Sequence, residues 1–260
     1  MSRFALILPA AGRSTRFGDS KQKKIDADLD GRAVWLRAAD VFLGRDDVGQ
    51  VIVAISPDDR ERFDRRYGAE VAFRGITVVE GGAERHDTIA KALDAVDPSI
   101  DFVAVHDAAR PCLTADQVDA VFAAAIEHGA ALLAVAVADT LKRVGPDRRT
   151  QGTVPRAGLY AAQTPQVFRK DWLIEAYATR HQVGESITDD AQLIEAMGHP
   201  CAIVDGSPMN LKITTQADLK LAAAILKALP RPEKAAPLHP FSDETVTWES
   251  GPKRKLEDLF

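Results

Sequence analysis

A loop rich in small residues and cations follows the first apolar run of the chain. Residues 9–22 read PAAGRSTRFGDSKQ, and small residues here let the backbone approach a phosphate chain, whose oxygens accept from exposed N–H groups. Five cations and one acid lie within residues 13–24, although the whole chain carries a net charge of -5. This local inversion favours a polyanionic ligand, with Arg16 and Lys21 as the candidate cations. A solvated strand–helix loop is the alternative.

Two other phosphate-loop patterns do not fit this segment. The Walker pattern GxxxxGK[ST] requires a lysine and a hydroxyl residue after its second glycine, but Asp19 and Ser20 follow Gly18. The dinucleotide pattern GxGxxG requires a second glycine where Ser14 stands. A nicotinamide dehydrogenase is therefore the weaker hypothesis.

A second glycine-containing segment is GGAERHDT, residues 81–88. Two glycines at the end of a predicted strand let a flat base or a ribose lie against the backbone. The Thr88 hydroxyl and the amides of a starting helix could then hydrogen-bond a nucleotide. A glycine turn with Thr88 in the first helical turn explains the pattern equally well.

Acidic and basic residues in two further segments complete the candidate chemistry. In VHDAARP, residues 105–111, Asp107 ends a buried strand, where a carboxylate suits Mg²⁺, and Arg110 could hold a phosphate. An ion pair between Asp107 and Arg110 that caps the next helix is the alternative. We assign His106 no catalytic role. Lys212 lies between apolar neighbours and could neutralise a phosphate, although a lone lysine on a strand is usually solvent-exposed.

The elements that must position these residues alternate along the chain. Apolar runs predict strands over 4–8, 51–55, 76–79, 102–105, 132–137 and 202–204. Amphipathic stretches predict helices over about 33–42, 58–67, 86–95, 115–128, 170–179, 189–197 and 216–228. Strands that are apolar throughout, with helices between them, predict a doubly wound, mostly parallel α/β sheet. Ligands in such sheets bind beyond the carboxyl ends of the strands, which are followed here by the candidate loops.

Two segments depart from this alternation. Residues 139–158, DTLKRVGPDRRTQGTVPRAG, are basic and lack a helical stripe. They predict either a disordered loop or a hairpin arm around a GPDR turn, with a role in oligomer contact or as a lid. Four prolines fall within residues 230–240, so we interpret 230–260 as a mobile tail after a folded domain of residues 1–229. Docking of this tail through its aromatic residues is the alternative.

Composition narrows the class of protein. The 260 residues include 33 Lys and Arg against 38 Asp and Glu, and a general nucleic-acid coat protein would need a broad basic surface. Two cysteines, Cys112 and Cys201, are too few for a disulfide scaffold or a four-ligand zinc site, and suit a reducing cytosol.

The longest apolar stretch, 123–138, is interrupted by charge and makes a poor membrane span. The apolar start leads into the glycine loop, which favours a buried strand over a signal peptide. We therefore expect a cytoplasmic protein without membrane or nucleic-acid partners.

Taken in order, these segments resemble the 2-C-methyl-D-erythritol 4-phosphate cytidylyltransferase family. The family pattern AAGxGxRMGxxxPKQ is similar to residues 10–22, GGxxRxxS is similar to 81–88, and HDAARP stands intact at 106–111. The further matches are DTLK at 139–142, Arg156 before GLY at 158–160, QTPQVF at 163–168, TDDA at 188–191 and NLKIT at 210–214. The resemblance covers about residues 3–229, and this set in this order is specific to the family or its ribitol-phosphate relatives.

The resemblance implies a fold, an activity and a set of site residues. The fold is a Rossmann-like sheet of the nucleotidyltransferase type with a protruding β-arm, and the activity joins CTP to methylerythritol phosphate with Mg²⁺ as cofactor. Arg16, Lys21 and Lys212 would be catalytic, and Asp107 would bind the metal. The implied substrate-binding residues are Ala10, Ala11, Gly12, Gly82, Arg85, Thr88, Ala108, Arg110, Thr140 and Arg156. Arg156 would act from the arm of a partner subunit, which implies a homodimer through residues 139–158.

The sequence also departs from the family pattern. Ser14 replaces a loop glycine, Ser20 replaces the proline before Lys21, and Thr88 replaces a serine while retaining the hydroxyl. These changes alter the geometry of the loop and leave its charge unchanged. The property they affect is therefore the direction in which the Lys21 side chain points. Two alternative functions remain: a cytidylyltransferase for ribitol 5-phosphate or another polyol phosphate, and a nucleotide-binding protein without turnover.

Overall fold

The computed structural model describes residues 2–12, 17, 23–184 and 187–229. The described strands are β1 (Phe4–Pro9), β2 (Val48–Ile55), β3 (Thr77–Glu80), β4 (Phe102–Val105), β5 (Ala130–Ala136), β6 (Leu141–Val144), β7 (Thr150–Val154), β8 (Tyr160–Arg169) and β9 (Ala202–Asp205). The described helices are α1 (Val34–Asp40), α2 (Arg60–Phe73), α3 (Arg85–Leu93), α4 (Ala115–His128), α5 (Lys170–Ala178), α6 (Asp190–Ala196) and α7 (Gln216–Ala228). Short 3-10 turns lie at Lys24–Asp26, Pro57–Asp59 and Arg180–Gln182. One compact unit spans Met1–Lys227.

A mostly parallel sheet organises this unit. Its strand order is β3-β2-β1-β4-β8-β5-β9. Strand β1 pairs in parallel with β2 and β4, β2 pairs in parallel with β3, and β5 pairs in parallel with β9. Strand β8 is antiparallel to both of its neighbours, β4 and β5. The carboxyl ends of β1 to β4 therefore lie at one edge of the sheet, where ligands bind in this architecture.

Both faces of the sheet are covered by helices. Leu6 and Leu8 of β1 pack on one face with side chains from α1, α2 and α4, including Trp35 and Phe122. The intervening residue, Ile7, packs on the opposite face with α3, α5 and α6. Burial on both faces explains why the strand is apolar at every position rather than at alternate ones. The predicted doubly wound α/β architecture is confirmed.

Two findings refine the predicted elements. The segment 139–158 is a hairpin arm rather than a disordered loop, because β6 and β7 pair in antiparallel fashion as a separate two-stranded sheet. Strand β8 was not predicted, since its centre reads QTPQ and lacks an apolar run. The structure buries these polar side chains and hydrogen-bonds them internally, as argued below for the site.

Residues 230–260, interpreted as a tail, lie outside the described residues, so the boundary near residue 229 stays a prediction. Among the helices of the described part, none has the length and apolar content needed to cross a membrane.

Candidate active site

A cavity of about 770 Å³ opens at the carboxyl ends of β1 to β4. Its wall includes Ala10, Ala11 and Gly12 after β1, Ser56 after β2, Gly81 and Gly82 after β3, Asp107, Ala108 and Ala109 after β4, and Lys212. A second cavity, of about 800 Å³, lies at the opposite edge of the sheet near Phe102 and Trp172. Parallel sheets bind ligands at the carboxyl edge, and the predicted glycine segments line only the first of these two cavities, so we take it as the candidate site.

Asp107 is surrounded by cations at the end of β4. Its Oδ2 lies 2.8 Å from Lys212 Nζ and 3.3 Å from Arg110 Nε, and its Oδ1 lies 4.0 Å from Arg85 Nε. Burial alone would raise the pKa of this carboxyl, but the charges of Lys212 and Arg85 outweigh burial and hold its pKa well below the usual range. The site therefore contains a permanently ionised carboxylate with cations on both oxygens.

A hydrogen-bonded clamp fixes the turn that carries Asp107. The backbone N–H of Asp107 donates to Thr164 Oγ1 at 3.0 Å. His106 Nε2 lies 3.0 Å from the carbonyl of Arg110, and a carbonyl can only accept, so Nε2 carries the proton. Nδ1 then accepts from the Thr164 hydroxyl at 3.1 Å. His106 is fully buried, and burial lowers its pKa to about 4. His106 is therefore a neutral residue with a structural role, in agreement with the sequence analysis, which assigned it no catalytic role.

The segment that carries Lys212 is tied to the same turn. Ile213 N donates to the carbonyl of Ala109 at 2.8 Å, and Arg110 Nη1 donates to the carbonyl of Asn210 at 2.7 Å. The buried Asn210 side chain donates to the carbonyl of Thr164 at 2.9 Å. Strand β8 thus holds both the Asp107 turn and the Lys212 segment, which explains the short distance between those two side chains.

The Gly81–Gly82 turn is fixed by α3. Thr88 Oγ1 accepts from Gly82 N at 3.1 Å and lies 3.0 Å from the carbonyl of Glu84, and Lys91 Nζ donates to the carbonyl of Gly81 at 3.0 Å. A Cβ on Gly81 would lie 2.9 Å from the Cβ of Ala11 and 2.8 Å from Thr88 Oγ1. The glycine therefore permits the close approach of the β1 and β3 loops that form this part of the wall.

The structure gathers most of the predicted residues in the cavity wall. These are Ala10, Ala11, Gly12, Gly82, Arg85, Thr88, Asp107, Ala108 and Lys212. Arg110 is not among the lining residues, because its guanidinium contacts Asp107 and the carbonyl of Asn210, so its phosphate contact stays a prediction. Thr140 and Arg156 are exposed on the arm and do not line the cavity. Arg16 and Lys21 lie outside the described residues.

Sequence reasoning missed one cation of the wall and left two others without roles. Lys91 lines the cavity, and its position one helical turn after Thr88 was the available signal. Lys23 and Lys24 also line the cavity, and Lys23 forms an ion pair with Asp59. The cavity therefore has more positive charge than the individually predicted residues supply, which suits a polyphosphate ligand.

The residues present fit a magnesium ion that is shared with a substrate. Among the residues with described coordinates, no group of three or more His, Cys, Asp and Glu side chains could hold a metal ion. Magnesium commonly binds one or two carboxylates and takes its other ligands from phosphates and water. Asp107 is an ionised, cavity-facing carboxylate of this kind. The arrangement can thus bind a nucleoside triphosphate and stabilise charge that develops on its phosphates.

Comparison with known proteins agrees with this geometry. The family model described as 2-C-methyl-D-erythritol 4-phosphate cytidylyltransferase matches residues 4–228. A relative of that name from Rhodopirellula baltica is 42% identical over 233 residues, covering 85% of this chain and 94% of the relative. Another, from Dechloromonas aromatica, is 42% identical over 234 residues, covering 88% and 99%. A crystal structure of the enzyme so named from Thermus thermophilus has a TM-score of 0.71 and 34% identity, covering 87% of this chain and all of that one.

Proposed function

Because the chain belongs to the 2-C-methyl-D-erythritol 4-phosphate cytidylyltransferase family, we propose that it transfers a cytidylyl group from CTP to 2-C-methyl-D-erythritol 4-phosphate. Pyrophosphate is the second product, and the reaction belongs to the non-mevalonate route to isoprenoid precursors. The observation that carries this proposal is the family match over residues 4–228, which includes the cations gathered around Asp107.

The reaction needs positioning and charge neutralisation rather than a general base. An oxygen of the sugar phosphate forms a bond to the α-phosphorus of CTP. The bond from that phosphorus to the oxygen bridging the α- and β-phosphates breaks, and its electron pair leaves with pyrophosphate. Nucleophile and leaving group are both anions already, so the protein must align them and offset their charge. The cations of the cavity are suited to this task.

We assign the roles as follows. Lys212, whose side chain is 38% exposed at the cavity wall, would contact the α-phosphate. Arg16 and Lys21 would bind the triphosphate. Asp107 would hold Mg²⁺, which would neutralise phosphate charge when bound. The backbone of Ala10, Ala11 and Gly12, together with the Gly82 turn that Thr88 holds, would receive the cytidine.

A homodimer through the arm would complete the site. The strands β6 and β7 are exposed along most of their length. Val144 of β6 is 53% exposed, and Tyr160, at the start of the following strand β8, is 49% exposed. Apolar side chains exposed on and beside the arm favour a partner that covers them. In the proposed dimer, the partner subunit's Arg156 and Thr140 would contact the phosphate of the sugar substrate. A cytoplasmic location is proposed on the basis of two unpaired cysteines.

The test is pyrophosphate release from CTP and Mg²⁺ with 2-C-methyl-D-erythritol 4-phosphate, run beside ribitol 5-phosphate under identical conditions. We expect selective release with the first acceptor. Release only with the second would retain the chemistry and overturn the substrate. Release with neither, while calorimetry detects CTP binding, would favour a nucleotide-binding protein without turnover.

A further inference from the structure

A buried carboxylate outside the cavity wall determines where Arg85 points. Arg85 Nη2 donates to Asp190 Oδ2 at 2.7 Å, and its Nε lies 4.0 Å from Asp107 Oδ1. The Arg85 side chain is 33% exposed and lines the cavity, whereas Asp190 is fully buried at the start of α6. The guanidinium therefore spans from a buried anchor to the wall of the site.

The anchor is itself fixed by two further groups. Tyr177 Oη donates to Asp190 Oδ1 at 2.5 Å, so each carboxylate oxygen has a partner. Burial raises the pKa of Tyr177, and the charge of Asp190 raises it further, so the phenol stays protonated and donates. Gln166 Oε1 accepts from the backbone N–H groups of Asp190 and Ala191 at 3.2 and 3.0 Å, which places the first turn of α6 against β8.

An arginine without such an anchor would rotate among many conformers. Asp107 is the other carboxylate beside Arg85, with its Oδ1 4.0 Å from Arg85 Nε, so a released guanidinium would turn toward it. The contact with Asp190 keeps the Arg85 side chain directed along the cavity wall. Its Nε faces Asp107 at 4.0 Å, but the guanidinium forms no bidentate pair with that carboxylate. Preorganisation of this kind matters most when a cation must be in place before the charge of the transition state develops.

We propose that Asp190 and Tyr177 are positioning residues that hold Arg85 at the cavity wall for the phosphates of the bound nucleotide. This inference rests on the proposed cytidylyl transfer. Neither residue lines the cavity, so each would act only through Arg85. The Asp190→Asn variant should therefore lower kcat/KM for CTP, and the loss should depend on the presence of the Arg85 guanidinium.

A double-mutant cycle tests this dependence. The variants are Asp190→Asn, Arg85→Gln and the combination, with kcat/KM for CTP measured by pyrophosphate release. Glutamine at 85 can still donate to Asp190, which limits the cost of an unpaired buried charge. We expect Asp190→Asn to lower kcat/KM about tenfold in the wild-type background, as loss of an outer-shell partner commonly does. In the Arg85→Gln background it should change kcat/KM less than about twofold.

Two further variants separate positioning from folding. Tyr177→Phe retains the ring but leaves Asp190 Oδ1 buried without this donor, so the thermal unfolding midpoint should fall. Measured well below that midpoint, kcat/KM should fall about threefold. Glu195→Gln is the matched control, because Glu195 is an exposed acid of the same helix, α6. It should leave kcat/KM within about twofold of wild type.

The outcomes distinguish this inference from the proposed function. Additive losses in the cycle, or a folded Asp190→Asn variant with wild-type kcat/KM, would overturn the positioning role while the reaction stands. The same cycle is measured on CTP affinity by calorimetry. If the wild-type protein binds CTP without turnover, the proposed reaction is contradicted. The effect of Asp190→Asn on CTP affinity, measured with and without Arg85→Gln, would still decide the role of Asp190. Absence of CTP binding would contradict both.

Discussion

Lys212 and Asp107 form an ion pair in the cavity wall, with Lys212 Nζ 2.8 Å from Asp107 Oδ2. The lysine is more exposed than the carboxylate, so it is the member that can turn toward a ligand. Its segment is fixed by the backbone bond from Ile213 N to the carbonyl of Ala109. A side chain that reaches a developing charge from such a fixed segment contributes mainly to the transition state.

We expect Lys212→Ala to raise the barrier by about 2–4 kcal/mol, which is about 30- to 1000-fold in kcat/KM. Pyrophosphate release under subsaturating CTP measures this change. Lys220→Ala removes an exposed lysine of α7 and is the control, with kcat/KM expected to stay near wild type. A loss below tenfold for Lys212→Ala would exclude the assigned role.

Thr164 supports the turn without touching the cavity. Its hydroxyl accepts from Asp107 N and donates to His106 Nδ1. Thr164→Val has nearly the same shape and leaves both groups buried without their partner, so the free energy of unfolding should fall by about 1–3 kcal/mol. Urea denaturation measures it. Thr153→Val removes an exposed hydroxyl on the arm and should cost much less. If the two variants lower the free energy of unfolding equally, the hydrogen bonds of Thr164 to the Asp107 turn do not stabilise the protein.

At the scale of elements, helix α7 begins with a reciprocal pair of contacts. Asp218 Oδ2 accepts from Thr215 N at 2.8 Å and from Thr214 N and Oγ1 at 2.8 and 2.6 Å, while Asp218 N donates to Thr215 Oγ1 at 3.3 Å. Thr214 and Thr215 follow Lys212 after one intervening residue, Ile213, so this cap also fixes the end of the segment that carries Lys212. The hydrogen bond from the Thr214 side chain is the largest cause that lowers the pKa of Asp218, to about 2.

The stabilisation from Asp218 should depend on pH. The folded-state pKa lies below the unfolded value near 4, so the folded protein binds fewer protons between these values and loses stability as the pH falls from about 4 to about 2. Asp218→Ala should cost about 1 kcal/mol at pH 7, and the difference from wild type should shrink below pH 4. Urea denaturation from pH 7 to pH 3 measures it. The control is Asp116→Ala, which removes an exposed acid in the first turn of α4. A loss in free energy of unfolding for Asp218→Ala that stays constant down to pH 3 would contradict the stabilising role assigned to the ionised Asp218.

Elements with local signals could be predicted from the sequence. Helix α4 was predicted from its amphipathic pattern with the bounds observed. The structure shows local signals at both ends, since Thr114 and Gln117 form a capping box at its start and Gly129, with a φ of 84°, ends it. Strand β8 could not be predicted in this way. Its Gln163 and Gln166 are buried because a loop and the start of α6, both distant in sequence, satisfy their hydrogen bonds, and no local pattern contains that information.

The site was predicted to a similar extent. Residues that follow strands, such as Gly82 and Asp107, could be placed because parallel strands present their carboxyl ends together. The contact between Arg85 and Asp190 joins residues 105 positions apart and has no local signature. Long-range polar contacts were therefore the part that sequence reasoning left out.

At the scale of the whole molecule, each active site of the proposed dimer is formed by the body of one subunit and the arm of its partner. Complementation tests this directly. Lys212→Ala impairs the body of a subunit and Arg156→Ala impairs its arm, so each homodimer should be nearly inactive at low sugar phosphate. After the two proteins are unfolded and refolded together, half of the dimers are mixed, and one of their two sites combines an intact body with an intact arm. About a quarter of wild-type activity should return.

The control for this experiment mixes the two proteins without exchange of subunits, and it should recover no activity. Recovery in that control would point to residual activity of one variant. No recovery after refolding, with mixed dimers demonstrated by mass, would place Arg156 in the site of its own chain and contradict the partner's contribution.

The position of β8 in the chain also sets an order of events during protein synthesis. The clamp on the Asp107 turn joins residues 57 and 58 positions apart, so the turn emerges from the ribosome well before Thr164 can hold it. A nascent chain that ends before β8 contains the glycine loops, Asp107 and β1, but it lacks the antiparallel neighbour of β4. Competence to bind a nucleotide should therefore arise late in translation, when residues 160–214 have left the exit tunnel and closed the sheet.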